Sequence, residues 1–298
     1  MKVGVSTASL FLRMDNEDAV AQLDALGIEI AEVFLTSFHE YNPAFAELVN
    51  QRKGSLKVHS VHILNTQIEP QLFNRHHRVR EDSFALLGQV MRSAQILGAK
   101  HYTFHGGARF KKASRDPKND DFARIGTCLK EIADFCKRYG VALCLENVEW
   151  STYNRPQIFS AMQEYVPDLK GVLDIKQARI SGVDYLAYLQ EMGENIATVH
   201  LSDITAEGKM CLPGKGVFDF ERLIKQLKDV GFDGALLIEA YKDDYKEMQE
   251  LQTSCDFLKE IVYKITVALS VSCNSISAAK GSIGPNISIR VFVFLRPR

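Results

Sequence analysis

The sequence predicts an α/β protein: a single (β/α)₈ barrel over residues 1–266, followed by a C-terminal extension over residues 267–298. Three observations carry that expectation. Short apolar or β-branched runs alternate with longer amphipathic ones along the 298 residues, and there are eight of the short runs. Successive runs lie roughly 25 to 45 residues apart, the length of a strand, a crossover helix and two loops. Eight such units fill about 260 residues, close to the ~250 typical of the barrel.

The runs that read as strands are residues 2–6, 27–35, 57–63, 100–105, 141–146, 169–174, 197–201 and 234–239. Helical patterns stand between them at 15–26, 78–97, 120–139 and 218–230. Each closes on a glycine, namely Gly27, Gly98, Gly140 and Gly231, and a strand follows within a few residues. That order is βα repetition. An open parallel sheet is the competing architecture, but no G-x-G-x-x-G follows the first strand and no G-x-x-x-x-G-K-[ST] occurs anywhere. The chain therefore has no nucleotide-cradling loop of either kind.

Composition narrows the function classes. Lys and Arg number 36 against 37 Asp and Glu, for a net charge of -1, and 46% of residues are hydrophobic and 24% charged. This is the balance of a globular protein with a large core, and it excludes disorder and collagen. The broad basic field that non-specific nucleic-acid binding needs is missing, so no nucleic-acid partner is expected. A strand begins directly after Met1, so no signal peptide is expected. The longest apolar stretch, 261–273, is broken by Tyr263, Lys264, Thr266 and serines. It falls short of the roughly 20 residues that span a bilayer, so no membrane partner is expected either. Six dispersed cysteines without a C-x-x-C pair fit structural thiols in a reducing cytoplasm. Residues 267–298 contain no Asp or Glu, are rich in serine and carry Lys280, Arg290, Arg296 and Arg298. They read as a loosely attached extension with a late strand at 287–295 and no catalytic role. A homo-oligomer stays open.

In such a barrel the chemistry sits at the C-terminal ends of the strands. Here those ends are polar. Glu146, Asp174, His200 and Glu239 recur at the same strand position on four successive strands and converge on one mouth. Each carboxylate follows three or four apolar residues, where an unpaired charge is costly to bury. Three carboxylates and an imidazole around one point describe a divalent metal site. That donor set suits Mn²⁺ best, with Zn²⁺, Co²⁺ or Mg²⁺ also accommodated. A single strand-end acid caps a helix or pairs with a lysine about as often, but capping does not select a histidine together with three carboxylates. His62 and His105 end the third and fourth strands, as site residues or as hydrogen-bonded core histidines. His59 reads as structural, Asp203 as a carboxylate orienting a neighbour of the metal-bound histidine, and His76 and His77 as loop residues without an assigned role.

The late strands carry Leu145-Glu146-Asn147, Gly171-Val172-Leu173-Asp174, Val199-His200-Leu201-Ser202-Asp203, Leu212-Pro213-Gly214-Lys215-Gly216 with Phe218-Asp219-Phe220, and Gly231-Phe232-Asp233-Gly234 leading to Ile238-Glu239. In this order and spacing the chain resembles the xylose isomerase-like TIM barrel superfamily (AP endonuclease family 2) over about residues 2–264. That group holds sugar phosphate isomerases and epimerases, tagatose 3-epimerase-like enzymes, inosose dehydratases and endonuclease IV. The fragments in combination are specific for the superfamily and say little about a substrate. The resemblance implies that Glu146, Asp174, His200 and Glu239 hold the metal and that Glu146 and Glu239 form the acid/base pair. It also implies that His62 and His105 face the substrate, while Trp150, just beyond Glu146, either lays an apolar face on a sugar ring or simply packs. The family often has a histidine three residues after the strand-six aspartate. This chain has Gln177 there, preceded by Lys176, so a hydroxyl-binding amide and a cation stand where a titrating ring is usual. Lys176 then faces an enediolate or a substrate phosphate, or is a plain ion-paired lysine.

The activity the resemblance implies is a metal-dependent isomerase or 3-epimerase of a ketose-type sugar or sugar phosphate. An inosose dehydratase-like lyase shares the first proton abstraction and is the near alternative. An endonuclease IV-like nuclease needs a histidine at position 177 and an Asp-x-His pair after strand seven, and residues 203–216 contain no histidine. A barrel that binds sugar without turning it over is a third class.

Overall fold

All eight apolar runs form strands, and the strands close on themselves. The computed structural model describes residues 1–64, 68–110 and 120–280. Its strands are β1 (Lys2–Ser6), β2 (Ile30–Leu35), β3 (Lys57–Ile63), β4 (His101–Phe104), β5 (Ala142–Glu146), β6 (Lys170–Asp174), β7 (Ile196–Leu201), the two-residue pair β8 (Asp203–Ile204) and β9 (Met210–Cys211), and β10 (Ala235–Ile238). Eight of them make a closed barrel in the order β1-β10-β7-β6-β5-β4-β3-β2, every neighbouring pair parallel. The short β8 and β9 pair antiparallel in the loop after β7.

Helices α1 (Asn16–Ala25), α2 (Pro43–Arg52), α3 (His77–Leu97), α4 (Asp120–Lys137), α5 (Gln157–Gln163), α6 (Ile175–Ile180), α7 (Tyr185–Met192), α8 (Phe220–Asp229) and α9 (Gln249–Lys280) accompany the strands. Those covering the barrel bury one stripe: α8 does so with Phe220, Leu223, Ile224 and Leu227, at helical spacing. The predicted helices appear within a few residues of their expected bounds. Gly98, at φ 75°, ends α3 in the left-handed conformation expected of it. Four differences stand out. The second strand starts at Ile30 rather than 27, because Gly27 still belongs to the helix-ending turn. His105 and Glu239 lie one residue beyond their strands, not within them. Helix α2 escaped the pattern reading although its start is well marked, with the Asn42 side chain accepting from the Ala44 N–H and Pro43 at the first position. The backbone of α9 runs through residue 266, where the composition changes, and the late strand expected at 287–295 lies outside the described residues.

Every residue of β2 and of β7 is buried, as in parallel sheets covered on both sides. At Gly4 the backbones come so close that a Cβ would stand 2.0 Å from the Ile30 carbonyl oxygen. The buried set includes an unusual number of polar strand residues: Ser6, Glu32, Ser60, His62, Thr103, Glu146, Thr198 and His200 are all at most 3% exposed. Such groups persist only when they satisfy one another. Five described cysteines are free and buried. Among the described residues no helix is long and apolar enough to cross a membrane.

His59, read as structural, stacks on His101 at 4.4 Å between ring centroids and contacts Thr198 Oγ1 at 2.9 Å. Burial first, then the neighbouring His101, hold its proton affinity down, to a pKa of about 4 against 6.5 when free. The unfolded chain therefore binds a proton between pH 6.5 and 4 that the folded one refuses. Stability is full above pH 6.5 and declines as pH falls toward 4, by about 1.4 kcal/mol per pH unit, or about 3 kcal/mol in all. Urea midpoints measured from pH 7.5 to 4.5 should fall less steeply for His59→Gln than for the natural protein. Equal slopes would exclude His59 as the source.

Candidate active site

β5 and β6 end on Glu146 and Asp174, His200 is the next-to-last residue of β7, and Glu239 follows β10 directly. The register sets Asp174 beside His200, and His200 beside Leu237, two residues before Glu239. One metal-capable atom from each of the four lies within 4.8 Å of the others. His200 Nδ1 is 2.9 Å from Glu146 Oε1 and 3.1 Å from Glu239 Oε2. Asn147 fastens the carboxyl end of β6: its amide donates to the Asp174 carbonyl at 2.9 Å and accepts the Asp174 N–H at 2.7 Å. Asp174 Oδ1 accepts the Gln177 N–H at 2.7 Å, which starts α6. The same proximity criterion also groups His62, His105 and Glu146, and Glu32, His62 and Glu239.

The two glutamates are alike in one respect. Each turns one oxygen to His200 and the other away from it. Glu146 Oε2 faces His105 Nε2 at 3.5 Å and His62 Nε2 at 4.0 Å, while Glu239 Oε1 faces Lys176 Nζ at 3.7 Å.

Burial alone favours protonation of Glu146 and Asp174, and the neighbours decide the outcome. Burial opposes ionisation of Glu146, but His200, His105 and His62 outweigh it and its carboxyl titrates low. Asp174 goes the other way: burial raises it, Lys176 offsets only part, and Glu146 and Glu239 add like-charge repulsion. Burial works against a charge on His200, yet Glu239 and Glu32 push it well above an ordinary histidine. Burial likewise works against Lys176, and Asp174 and Glu239 reverse that, so its ammonium is held charged.

His62 and His105 join this cluster. Their Nε2 atoms are 3.0 Å apart, and each Nδ1 faces a carboxylate: Glu32 at 3.3 Å for His62, Glu69 at 3.0 Å for His105. With N–H groups turned to those carboxylates, the two Nε2 atoms keep such a contact only with a proton between them. Trp150 is 44% exposed with its ring 5.3 Å from that of His105, which puts it at the edge of the site rather than in the core. Lys176 is buried, with Nζ 4.2 Å from the centroid of the exposed Tyr241 ring. Gln177 Oε1 is buried without a protein partner among the described residues.

Two carboxylates escaped the sequence reading. Glu32, fully buried in mid-strand on β2, contacts His62 and His200. Glu69, fully buried in the loop after β3, accepts the Tyr102 hydroxyl at 2.7 Å and both the N–H and Nδ1 of His105 at 3.1 and 3.0 Å. An acid between Ala31 and Val33 in an apolar run was a usable signal for Glu32. Nothing periodic marks Glu69. Asp203, expected to orient a neighbour of the metal-bound histidine, is a correction: its hydrogen bonds go to loop backbone. Its carboxylate accepts four backbone N–H groups, those of Ile204, Gly214, Gly216 and Phe218 at 2.7 to 3.0 Å, and so ties up the loop after β7.

The xylose isomerase-like TIM barrel family model matches residues 19–261. The chain belongs to the xylose isomerase-like TIM barrel family. Within and around it, the chain is 25% identical over 185 residues to L-ribulose-5-phosphate 3-epimerase UlaE of Shigella flexneri serotype 5b (strain 8401), covering 61% of this chain and 64% of that protein. It is 22% identical over 148 residues to inosose dehydratase of Lacticaseibacillus casei, covering 43% of this chain and 50% of that one. The matches thus span less than two thirds of either relative. D-psicose 3-epimerase from Clostridium cellulolyticum H10 superposes with a TM-score of 0.71 at 16% identity, over 88% of this chain and 99% of that one, a likeness of fold.

Proposed function

We propose that the protein is a metal-dependent isomerase or 3-epimerase of a ketose or ketose phosphate. The observation that carries this reading is the cluster itself: Glu146, Asp174, His200 and Glu239 bring ligand atoms within 4.8 Å at the barrel mouth, and both glutamates keep an oxygen outside it. The donor set fits a divalent cation. Two buried carboxylates and the partly buried Glu239 crowd one imidazole, Asp174 is pushed toward protonation, and Glu239 Oε2 has no hydrogen bond among the described residues, all of which a cation would relieve. Mn²⁺ suits the set best, followed by Zn²⁺, Co²⁺ and Mg²⁺. The 3-epimerase and the dehydratase among the relatives support the substrate class.

When bound, the ion would act as a Lewis acid on the substrate carbonyl and acidify the neighbouring C–H. The chain's own residues do the rest. One of Glu146 and Glu239 removes that proton through its outward oxygen, and the other returns one to the opposite face of the carbon. Lys176 Nζ, beside Glu239, offsets the negative charge that develops on the deprotonated substrate. The His62 and His105 pair turns its one shared Nε2 proton to a substrate hydroxyl, Gln177 supplies an unused amide oxygen, and Trp150 covers the sugar's apolar face. The free, buried thiols fit a cytoplasmic setting. The dehydratase reading shares the proton abstraction and differs in expelling a hydroxyl afterwards.

Protein purified without chelator should carry about one divalent ion per chain by elemental mass spectrometry. It should also exchange a ketose C–H for deuterium in D₂O, and lose that exchange on chelation. An epimer then accumulates at constant mass apart from the label, whereas a dehydratase product is lighter by one water. A chain that takes up no ion on dialysis against Mn²⁺ would sink the mechanism.

A further inference from the structure

Glu32 is an acid that nothing in the proposed chemistry uses, yet among the described residues it is the most heavily engaged. It is fully buried on β2 and receives five side-chain groups from four other strands. Ser6 on β1 donates to Oε1 at 3.0 Å, and Ser60 on β3 and Thr103 on β4 donate to Oε2 at 2.8 and 2.5 Å. The remaining two are ring nitrogens on Oε1: His62 Nδ1 at 3.3 Å and His200 Nε2 at 3.1 Å. A carboxylate offers about four acceptor sites and no donor, so groups meeting it present hydrogens. His200 Nε2 forms no hydrogen bond among the described residues, and the group it faces, at 3.1 Å, is Glu32 Oε1. The opposite edge of the same ring, Nδ1, is the one turned to Glu146 and Glu239.

We propose that Glu32 is the positioning residue of the metal centre: it holds the Nε2–H edge of His200 so that Nδ1 presents its lone pair to the ion, and it holds Nδ1–H of His62 so that Nε2 faces the substrate side. A histidine's ligating nitrogen is set by what its other nitrogen binds, and a carboxylate in that role fixes both the tautomer and the ring. The hydroxyls of Ser6, Ser60 and Thr103 fix the carboxylate in turn, so through Glu32 on β2 His200 is anchored to four strands besides its own. The inference rests on the metal reading above.

The test is Mn²⁺ titration of the metal-free full chain by calorimetry, for the natural protein and Glu32→Gln. It is paired with nitrogen-15 histidine NMR of the natural protein loaded with Zn²⁺. Glutamine keeps the volume and removes the charge. Its affinity should fall 10- to 100-fold, the usual effect of losing such a partner, at unchanged far-UV circular dichroism. In the Zn²⁺-loaded natural protein the proton retained by His200 should be on Nε2. An affinity within twofold of the natural protein, or a retained proton on Nδ1, overturns the inference while leaving the metal reading intact. If Glu32→Gln does not fold, the NMR measurement on the natural protein decides alone. If the natural protein binds no Mn²⁺, the metal reading fails and takes this inference with it.

Discussion

Glu146→Gln and Glu239→Gln should each lower epimerisation by about 10²- to 10⁴-fold, the range that a positioned acid or base contributes. The two losses should not be equivalent. Each glutamate has its outward oxygen in a different place, one toward the His62 and His105 pair and one toward Lys176, so each addresses a different side of whatever lies between them. With one removed, the survivor still takes the proton from the epimer that presents its C–H on that side. Glu146→Gln should therefore wash deuterium into one epimer and Glu239→Gln into the other, neither variant interconverting the two. Glutamine keeps a ligating oxygen, and ion content measured alongside separates loss of a base from loss of the metal. A variant that holds the ion and still epimerises within tenfold of the natural rate would refute the two-base assignment.

The outcome for each residue follows from how its position was marked. Glu146, Asp174, His200 and Glu239 were legible because a charge after an apolar run is expensive, and four such costs at one end of one barrel have few explanations. The strand count and the glycine-ended helices were legible for a similar reason, since each rests on a local signal repeated many times. Glu32 carried the same signal but sat in mid-strand, where a reading restricted to strand ends does not look. Its orientation also depends on a register shift between Ala31 and Glu32 against β3 that no sequence period announces. Glu69 and the real partners of Asp203 are products of loop conformation. A carboxylate that gathers the N–H groups of Gly214, Gly216 and Phe218 is invisible until the loop is folded around it. Lys176 lay between these cases: its identity invited two roles, of which the structure shows the ion pair, buried beside Glu239, and the other is part of the proposal.

Lys176→Met should slow turnover by about 10²- to 10³-fold, the scale of removing one preorganised charge from a developing anion. The direction of the accompanying metal effect distinguishes this from simple damage. Lys176 is a cation held charged among Asp174, Glu239 and Glu146, and it repels a divalent ion at the same centre. Removing it lowers that repulsion and frees the outward oxygen of Glu239, so Mn²⁺ should bind as tightly as before or more tightly. A lysine that only braces the fold would lose ion affinity and turnover together. Methionine keeps an unbranched stem, and the cation over the Tyr241 ring is the part removed. The loss should fall on kcat more than on KM, because the charge it answers appears after the proton leaves. Lys176→Arg, which keeps a permanent charge with a different reach, should recover part of the rate. Unchanged turnover in Lys176→Met, or a fall in Mn²⁺ affinity that matches the fall in rate, would remove Lys176 from the chemistry.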